Sequence, residues 1–155
     1  MSHSTIGVTI EFEPTSRSVL RNQTRRAYWV LHDTMLQPSQ LELRDAQGAV
    51  VPGFDERATA KFDNTVRKSA FREVVAGGEL PLFELRAIQH DELWELRWGP
   101  FIYPGLRAGN YTGVVVFESL VHQYFDEETR TKHELSNAWL GTARSDAVAF
   151  RLPLH

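Results

Sequence analysis

The stretch "LRAGNYTGVVVF", residues 106–117, decides the fold class of this chain. Every second residue from Tyr111 to Phe117 falls on one side of an extended strand, and the threonine and valines between them fall on the other. Gly109 precedes this run, and a glycine permits the tight turn that a chain needs before it enters a strand. The stretch therefore predicts a turn followed by a long β-strand.

The same two-residue period recurs in four other parts of the chain, at residues 7–12, 41–44, 94–98 and 147–152. The stretch "AYWVLH" at 27–32 is apolar on both sides, which is typical of a central strand. Turn residues such as "DAQG" at 45–48 separate these runs. Residues 54–74 fit neither a strand period nor a helix period, and we expect one helical turn or a loose edge strand there.

These short strands, their regular turns and the lack of a convincing amphipathic helix predict an all-β protein. We expect an antiparallel β-sandwich of seven to eight strands, with a small barrel as the alternative. No internal repeat or linker divides the sequence, so residues 1–155 are expected to form one domain. About 29 residues separate Phe117 from Ala147, which predicts a long hairpin, residues 118–140, before the last strand.

Two motifs carry a resemblance to a known fold family. Leu106-x-x-Gly109-x-Tyr111 before an alternating strand resembles the tyrosine corner of immunoglobulin-like and fibronectin-type domains. The stretch "WLGTARSDAVAFRL" at 139–152 is similar to the last strand region of many bacterial immunoglobulin-like domains. The resemblance implies that the Tyr111 ring packs at the edge of the core and that its hydroxyl bonds backward to the backbone. The absence of cysteine excludes the antibody branch.

Composition limits the environment and the partners of the chain. It has 155 residues, no cysteine, a formal net charge of −3 and no long apolar run, so we expect a cytoplasmic protein that does not bind membranes. Nucleic-acid binding domains are usually strongly basic, so we expect no nucleic-acid partner. The glycosylation triplets at Asn22 and Asn110 have no meaning without a secretory route, and we expect neither to be modified.

The sequence contains no motif that supports catalysis. It has no His-Glu-x-x-His, no Gly-x-Ser-x-Gly, no glycine-rich phosphate loop and no cysteine nucleophile, so we expect neither an enzyme nor a cofactor. His122 and His133 flank "QYFDEETRTK" and could bind a divalent metal with Glu134 if that segment were a hairpin. Solvated surface histidines are far commoner, so we expect no metal.

Two aromatic regions are candidate partner-binding sites. The segment 118–140 contains Tyr124, Phe125 and Trp139, which could anchor a partner or could cap the open end of the core. The loop "WGPFIYPG" at 98–105 contains Trp98, Phe101 and Tyr103. Together with Trp94, these aromatic residues would form the stacking platform of a sugar-binding site, or would pack as hydrophobic plugs beneath the loop.

These observations favour a non-catalytic protein-binding or assembly module that acts through its end loops and the hairpin at 118–140. The alternative is a peptidase inhibitor, because the "LRAGNYT" turn also resembles bacterial intracellular proteinase inhibitors of immunoglobulin-like fold. A carbohydrate-binding module is a second alternative. We expect a protein partner rather than a glycan or a small molecule.

Overall fold

The computed structural model describes residues 7–33, 36–58 and 63–154. These residues form an all-β structure in which every strand ladder is antiparallel. The fifteen strands are β1 Val8–Phe12, β2 Ser18–Asn22, β3 Tyr28–Leu31, β4 Ser39–Asp45, β5 Phe54–Asp55, β6 Phe71–Val74, β7 Glu79–Pro81, β8 Leu85–His90, β9 Leu93–Trp98, β10 Phe101–Leu106, β11 Gly109–Ser119, β12 Gln123–Asp126, β13 Thr131–Glu134, β14 Gly141–Arg144 and β15 Val148–Leu152. The number exceeds the seven or eight expected because several strands are only two to four residues long.

The remaining regular structure is limited to two short 3-10 turns, Glu56–Ala58 and Lys68–Ala70. Over the described ranges, no helix has the length and apolar character needed to cross a membrane.

Strand β11 organises the largest part of the fold. Its eleven residues pair with β4 along one edge, and with β15 and then β14 along the other. Ser145 joins the two shorter strands, because its N–H donates to the Val115 carbonyl and its hydroxyl accepts from the Val115 N–H, both at 2.9 Å. A side-chain oxygen thus maintains the hydrogen-bond ladder where the backbone of the edge strand turns away.

Two other sheets complete the main body. One has the order β1-β2-β7 and the other the order β5-β10-β9-β8, and each ends in edge strands instead of closing on itself. The inward faces predicted from the two-residue period are confirmed for β1, β4, β9 and β11. They meet in a large core in which the Trp98 ring contacts Phe12 and Phe83 edge to face, with ring centroids 5.9 and 6.0 Å apart.

A second, smaller hydrophobic cluster lies beside the main core. Its buried residues are Leu31, Ala70 and Phe71. Strand β3 separates the two clusters, because Val30 packs into the main core while its neighbour Leu31 packs into the second cluster. This position explains why residues 27–32 are apolar on both sides. Strand β3 pairs with β6 along one edge, and along its other edge Trp29 forms a bridge with Ala138, so it has backbone partners on both edges, as expected of a central strand.

The Tyr111 hydrogen bond expected from the sequence is present. The hydroxyl donates to the Arg107 carbonyl over 2.7 Å, and the ring stacks on Phe150 with centroids 6.1 Å apart. Burial, together with the nearby charge of Asp45, raises the pKa of Tyr111 above its ordinary value. The side chain therefore fastens the turn before β11 to the edge of the main core.

Candidate functional site

The segment 118–140 contains a hairpin that is separate from the strand before it. β11 ends at Ser119, and β12 and β13 form their own two-stranded sheet. At the base of this hairpin, the Leu135 N–H donates to the His122 carbonyl over 2.8 Å. The expected long hairpin is therefore present as a short one on two connecting arms, and it does not extend β11.

The hairpin is docked on the second hydrophobic cluster. Tyr124 packs against the cluster on the inner face of the hairpin, and the His133 ring stacks on it with centroids 5.7 Å apart. Lys68 Nζ lies 5.9 Å from the centre of the Tyr124 ring. The Phe125 N–H donates to the Val66 carbonyl over 2.7 Å, which ties the hairpin to the segment before β6. Part of the segment thus serves as a cap.

A cleft of about 460 Å³ lies between residues 64–66 and residues 120–125. Its apolar lining consists of Val66, Leu120, Val121 and the ring of Phe125, and Lys132 lies at its border. Leu120 is 66% exposed and lines the same cleft as these side chains, so it is part of an apolar patch rather than a single exposed residue. The cleft therefore offers a partner accessible apolar surface beside one cation.

Polar contacts hold the rest of the hairpin in place. Glu134 accepts from Gln123 Nε2 over 2.7 Å, and its other oxygen lies 2.6 Å from His122 Nδ1. The hydrogen bond from Gln123, followed by that from His122, lowers the pKa of Glu134. Arg67 forms ion pairs with Glu127 at 2.6 Å and with Asp63 at 2.9 Å.

The two histidines considered as metal ligands do not converge. His122 contacts Glu134, whereas the His133 Nε2 atom lies 2.9 Å from the Thr129 hydroxyl and 3.1 Å from the Thr131 hydroxyl. Within the described part of the chain, no three His, Cys, Asp or Glu side chains are grouped so that they could hold a metal ion.

Three of the aromatic residues proposed as partner contacts are core residues. Trp98, Tyr103 and Trp139 are buried, so they have no surface to offer a partner. Trp139 packs against Phe117 with ring centroids 5.7 Å apart, and Trp98 Nε1 donates to the Ser39 hydroxyl over 3.3 Å. Their burial argues against contact with a partner, and it removes two of the four residues of the suggested sugar-stacking platform, Trp98 and Tyr103.

Phe101 and the two aromatic residues of β12 have different surroundings. Phe101 is half-buried, and Arg57 lies over its ring at 5.4 Å. Tyr124 and Phe125 are also half-buried, and they are the only two of the six predicted contacts that line the hairpin cleft in the described structure. Sequence reasoning did not identify Val66 or Leu120 as site residues, because Val66 comes from a stretch without a regular period.

A larger cleft of about 700 Å³ covers the outer face of β4, β11 and β14. The charged side chains of this cleft are already engaged with one another. Arg144 binds Glu42 at 2.7 Å, Thr142 donates to Glu118 over 2.8 Å, and the Arg57 guanidinium forks onto the Asp55 carboxylate. A ligand would have to displace these pairs, so the hairpin cleft is the better candidate site.

Comparison with protein-family models, with curated proteins and with solved structures finds no match to this chain. What the hairpin cleft can do therefore follows from its own geometry. It presents apolar side chains, neutral hydrogen-bonding groups and one lysine, a combination suited to binding.

Proposed function

We propose that this chain is a non-catalytic protein-binding module whose hairpin cleft holds part of a partner protein. The observation that carries the proposal is the exposure of Leu120 at the rim of a cleft lined by Val66, Val121 and Phe125. Apolar side chains that are open to water, and that lie around a concavity, gain free energy when a partner covers them. Two other exposed apolar side chains, Val50 and Phe54, line a separate cleft of about 540 Å³.

The two faces of the hairpin support two separate roles, capping the second hydrophobic cluster and binding a partner. Tyr124 and His133 stack on the inner face and close the second hydrophobic cluster. Phe125 and Lys132 are paired across the hairpin on its other face, beside the cleft. A segment that served only as a cap would need just the first of these faces.

Site-specific photo-crosslinking in the native cells tests the proposal. Benzoylphenylalanine is placed at Leu120 in one protein and at Val50 in another, because these residues are 66% and 67% exposed. Val50 bridges Arg44, which lies opposite Thr112, and Leu120 follows Thr112 by eight residues, so the two positions are about 26 Å apart along the direction of β11. We expect a discrete crosslinked protein from position 120 that is absent from position 50.

The dependence on the cleft is checked with a second substitution. Phe125→Ala removes the largest apolar side chain of the cleft, and we expect it to reduce the crosslink from position 120 at least fivefold while the protein stays folded. Identical crosslinked species from positions 120 and 50, or a yield that does not change with Phe125→Ala, would contradict the proposed function.

We further propose that the sandwich is of the immunoglobulin-like type. The Tyr111 hydrogen bond to Arg107 and the pairing of β11 with β15 support this arrangement. The peptidase-inhibitor alternative and the cytoplasmic location stay predictions. A panel of purified peptidases assayed with and without the protein would test the former.

A further inference from the structure

We propose that the occupant of the hairpin cleft is an extended peptide segment of a partner protein that carries both apolar and acidic residues. This inference rests on the proposed function, because it names the kind of partner that the same cleft binds. Charge, backbone geometry and size each contribute to the argument.

The charge of the cleft favours an acidic occupant. Of the described residues that line the cleft, none carries a carboxylate, and Lys132 is the one permanently charged side chain among them. The described ion pairs of the hairpin region use Arg67, His122 and His133, and none of them uses Lys132. Glu134 is held by Gln123 and His122 instead. An acidic side chain that enters the cleft would therefore meet an available ammonium group and no carboxylate among the lining residues.

The backbone of β12 favours an extended occupant. The His122 carbonyl accepts from Leu135 across the hairpin, whereas the Phe125 N–H points away from β13 and donates to Val66. Because backbone groups alternate in direction along an antiparallel strand, Gln123 also directs its N–H and its carbonyl away from β13, toward the cleft that it lines. The Phe125 N–H is already bonded to Val66, so the N–H and carbonyl of Gln123 are the groups of this edge to which an extended peptide can bond.

The size of the cleft fits a short segment. Its volume of about 460 Å³ lies within the range of about 300–1,000 Å³ that is typical of ligand pockets. Phe125 and Lys132 lie on the same face of the hairpin, and side chains on one face of an extended peptide are two residues apart. An apolar side chain of the peptide can therefore contact Phe125 and Leu120 while an acidic side chain two positions away reaches Lys132.

A displayed library of random nonapeptides tests the inference. The library is selected on the full-length protein, and enriched sequences are synthesised with acetylated and amidated ends and measured by fluorescence anisotropy. We expect enriched peptides that contain apolar residues and an acidic residue two positions from one of them. Lys132→Glu should weaken their binding at least tenfold, and Lys132→Arg should retain it within about threefold.

Arg130→Glu is the matched control for charge, because Arg130 lies at the tip of the same hairpin and does not line the cleft. It should change binding less than threefold. Peptide binding should also protect the Gln123 amide from hydrogen exchange, an effect that electrostatic attraction alone would not produce. Equal losses with Lys132→Glu and Arg130→Glu, or no protection at Gln123, would overturn the inference.

The outcomes separate the inference from the proposed function. A position-120 crosslink that depends on Phe125, combined with a library that yields no acidic peptides, would retain the binding module and reject the peptide. Binding that requires a free C-terminal carboxylate would replace the internal segment with a chain end and reject the inference. Crosslinks between two copies of this chain would also reject the inference, and they would show that the cleft serves self-association.

Discussion

At the scale of single residues, Tyr111 combines a hydrogen bond to Arg107 with a ring that stacks on Phe150. Tyr111→Phe keeps the ring and removes the hydroxyl, so we expect the free energy of unfolding to fall by about 1 kcal/mol. Urea denaturation measures this change. Tyr28→Phe is the control, since the Tyr28 hydroxyl takes part in none of the hydrogen bonds described above, and equal midpoints for both variants would contradict the role of Tyr111.

Asn22 is a polar residue at the centre of the fold. Its Nδ2 atom donates to the carbonyls of Arg26, Val74 and Val75 at 2.7, 2.9 and 3.2 Å, and its Oδ1 accepts from the Thr24 N–H. The side chain is buried and fully engaged, so it is not accessible to a glycosylating enzyme in the folded protein. The sequence offered no sign of this, because an asparagine within a glycosylation triplet is usually a surface residue.

We expect Asn22→Ala to lower the free energy of unfolding by about 2–4 kcal/mol, because it leaves buried carbonyls without donors. Asn22→Asp should be worse near pH 7, where a carboxylate would face three carbonyl oxygens, and part of its stability should return as the pH falls and the group is protonated. Thermal unfolding at pH 7 and pH 4 measures both effects. An Asn22→Asp protein as stable as the wild type at pH 7 would contradict this account.

At the scale of secondary-structure elements, the two-residue period predicted the inward faces of β1, β4, β9 and β11 because each has one buried side and one exposed side. It did not reveal β2, whose residues are buried on both sides and include the polar Ser18 and Asn22. Asn22 can be buried because its side chain donates to the carbonyls of Val74 and Val75, and a local sequence pattern does not contain such distant contacts.

The candidate site likewise contains residues that could be predicted from the sequence and residues that could not. Tyr124 and Phe125 could be predicted because two adjacent aromatic residues in a long connection between strands indicate a binding site. Val66 and the second hydrophobic cluster could not, because their members come from a turn and from strands that are far apart in the sequence. The burial of Trp98 and Trp139 likewise depends on packing between sheets, which neither residue's neighbours in the sequence disclose.

Removal of the hairpin should destabilise the second hydrophobic cluster without destabilising the main core. Replacing residues 123–134 with an Asn-Gly turn removes Tyr124 from the cluster that contains Leu31 and Phe71. It removes no comparable contact from the main core. We expect a folded protein in which the amides of β3 and β6 exchange at least tenfold faster, while those of β4 and β11 do not change. Hydrogen–deuterium exchange measures this difference.

A shorter replacement provides the control. Exchanging only the tip, residues 127–130, for Asn-Gly keeps Tyr124 on the second cluster, so the amides of β3 and β6 should stay protected. Complete unfolding of the first variant would show that the hairpin is part of the main core. Unchanged exchange in β3 and β6 would show that the hairpin does not stabilise the second cluster.

At the scale of the whole molecule, Tyr103 connects two sheets. It lies on β10, and its hydroxyl donates to the Leu41 carbonyl of β4. Burial, followed by the negative charge of Glu42, raises the pKa of Tyr103 to about 12. The folded state therefore keeps this proton more tightly than the unfolded state does, so the corresponding stability is complete below pH 10 and is lost as the pH rises toward 12.

We expect this loss to be no more than about 2 kcal/mol for Tyr103, with a smaller part from Tyr111. Urea midpoints measured between pH 9 and pH 12 should fall steadily for the wild type. Tyr103→Phe should start from a lower stability, because it lacks the hydrogen bond between the sheets, and should fall less steeply. Parallel curves for the two proteins would contradict the assignment.

The position of β3 between the two clusters also has an optical consequence. Trp98 and Trp139 lie in the main core and Trp94 packs against it, whereas Trp29 packs against the second cluster. The intrinsic emission of the protein thus contains one fluorophore that senses the region beneath the hairpin and three that sense the main body. The difference between the spectra of the wild type and a Trp29→Phe protein isolates the emission of Trp29. Quenching of the Trp29 emission by acrylamide would then show whether that region is open to solvent or covered, without any added label.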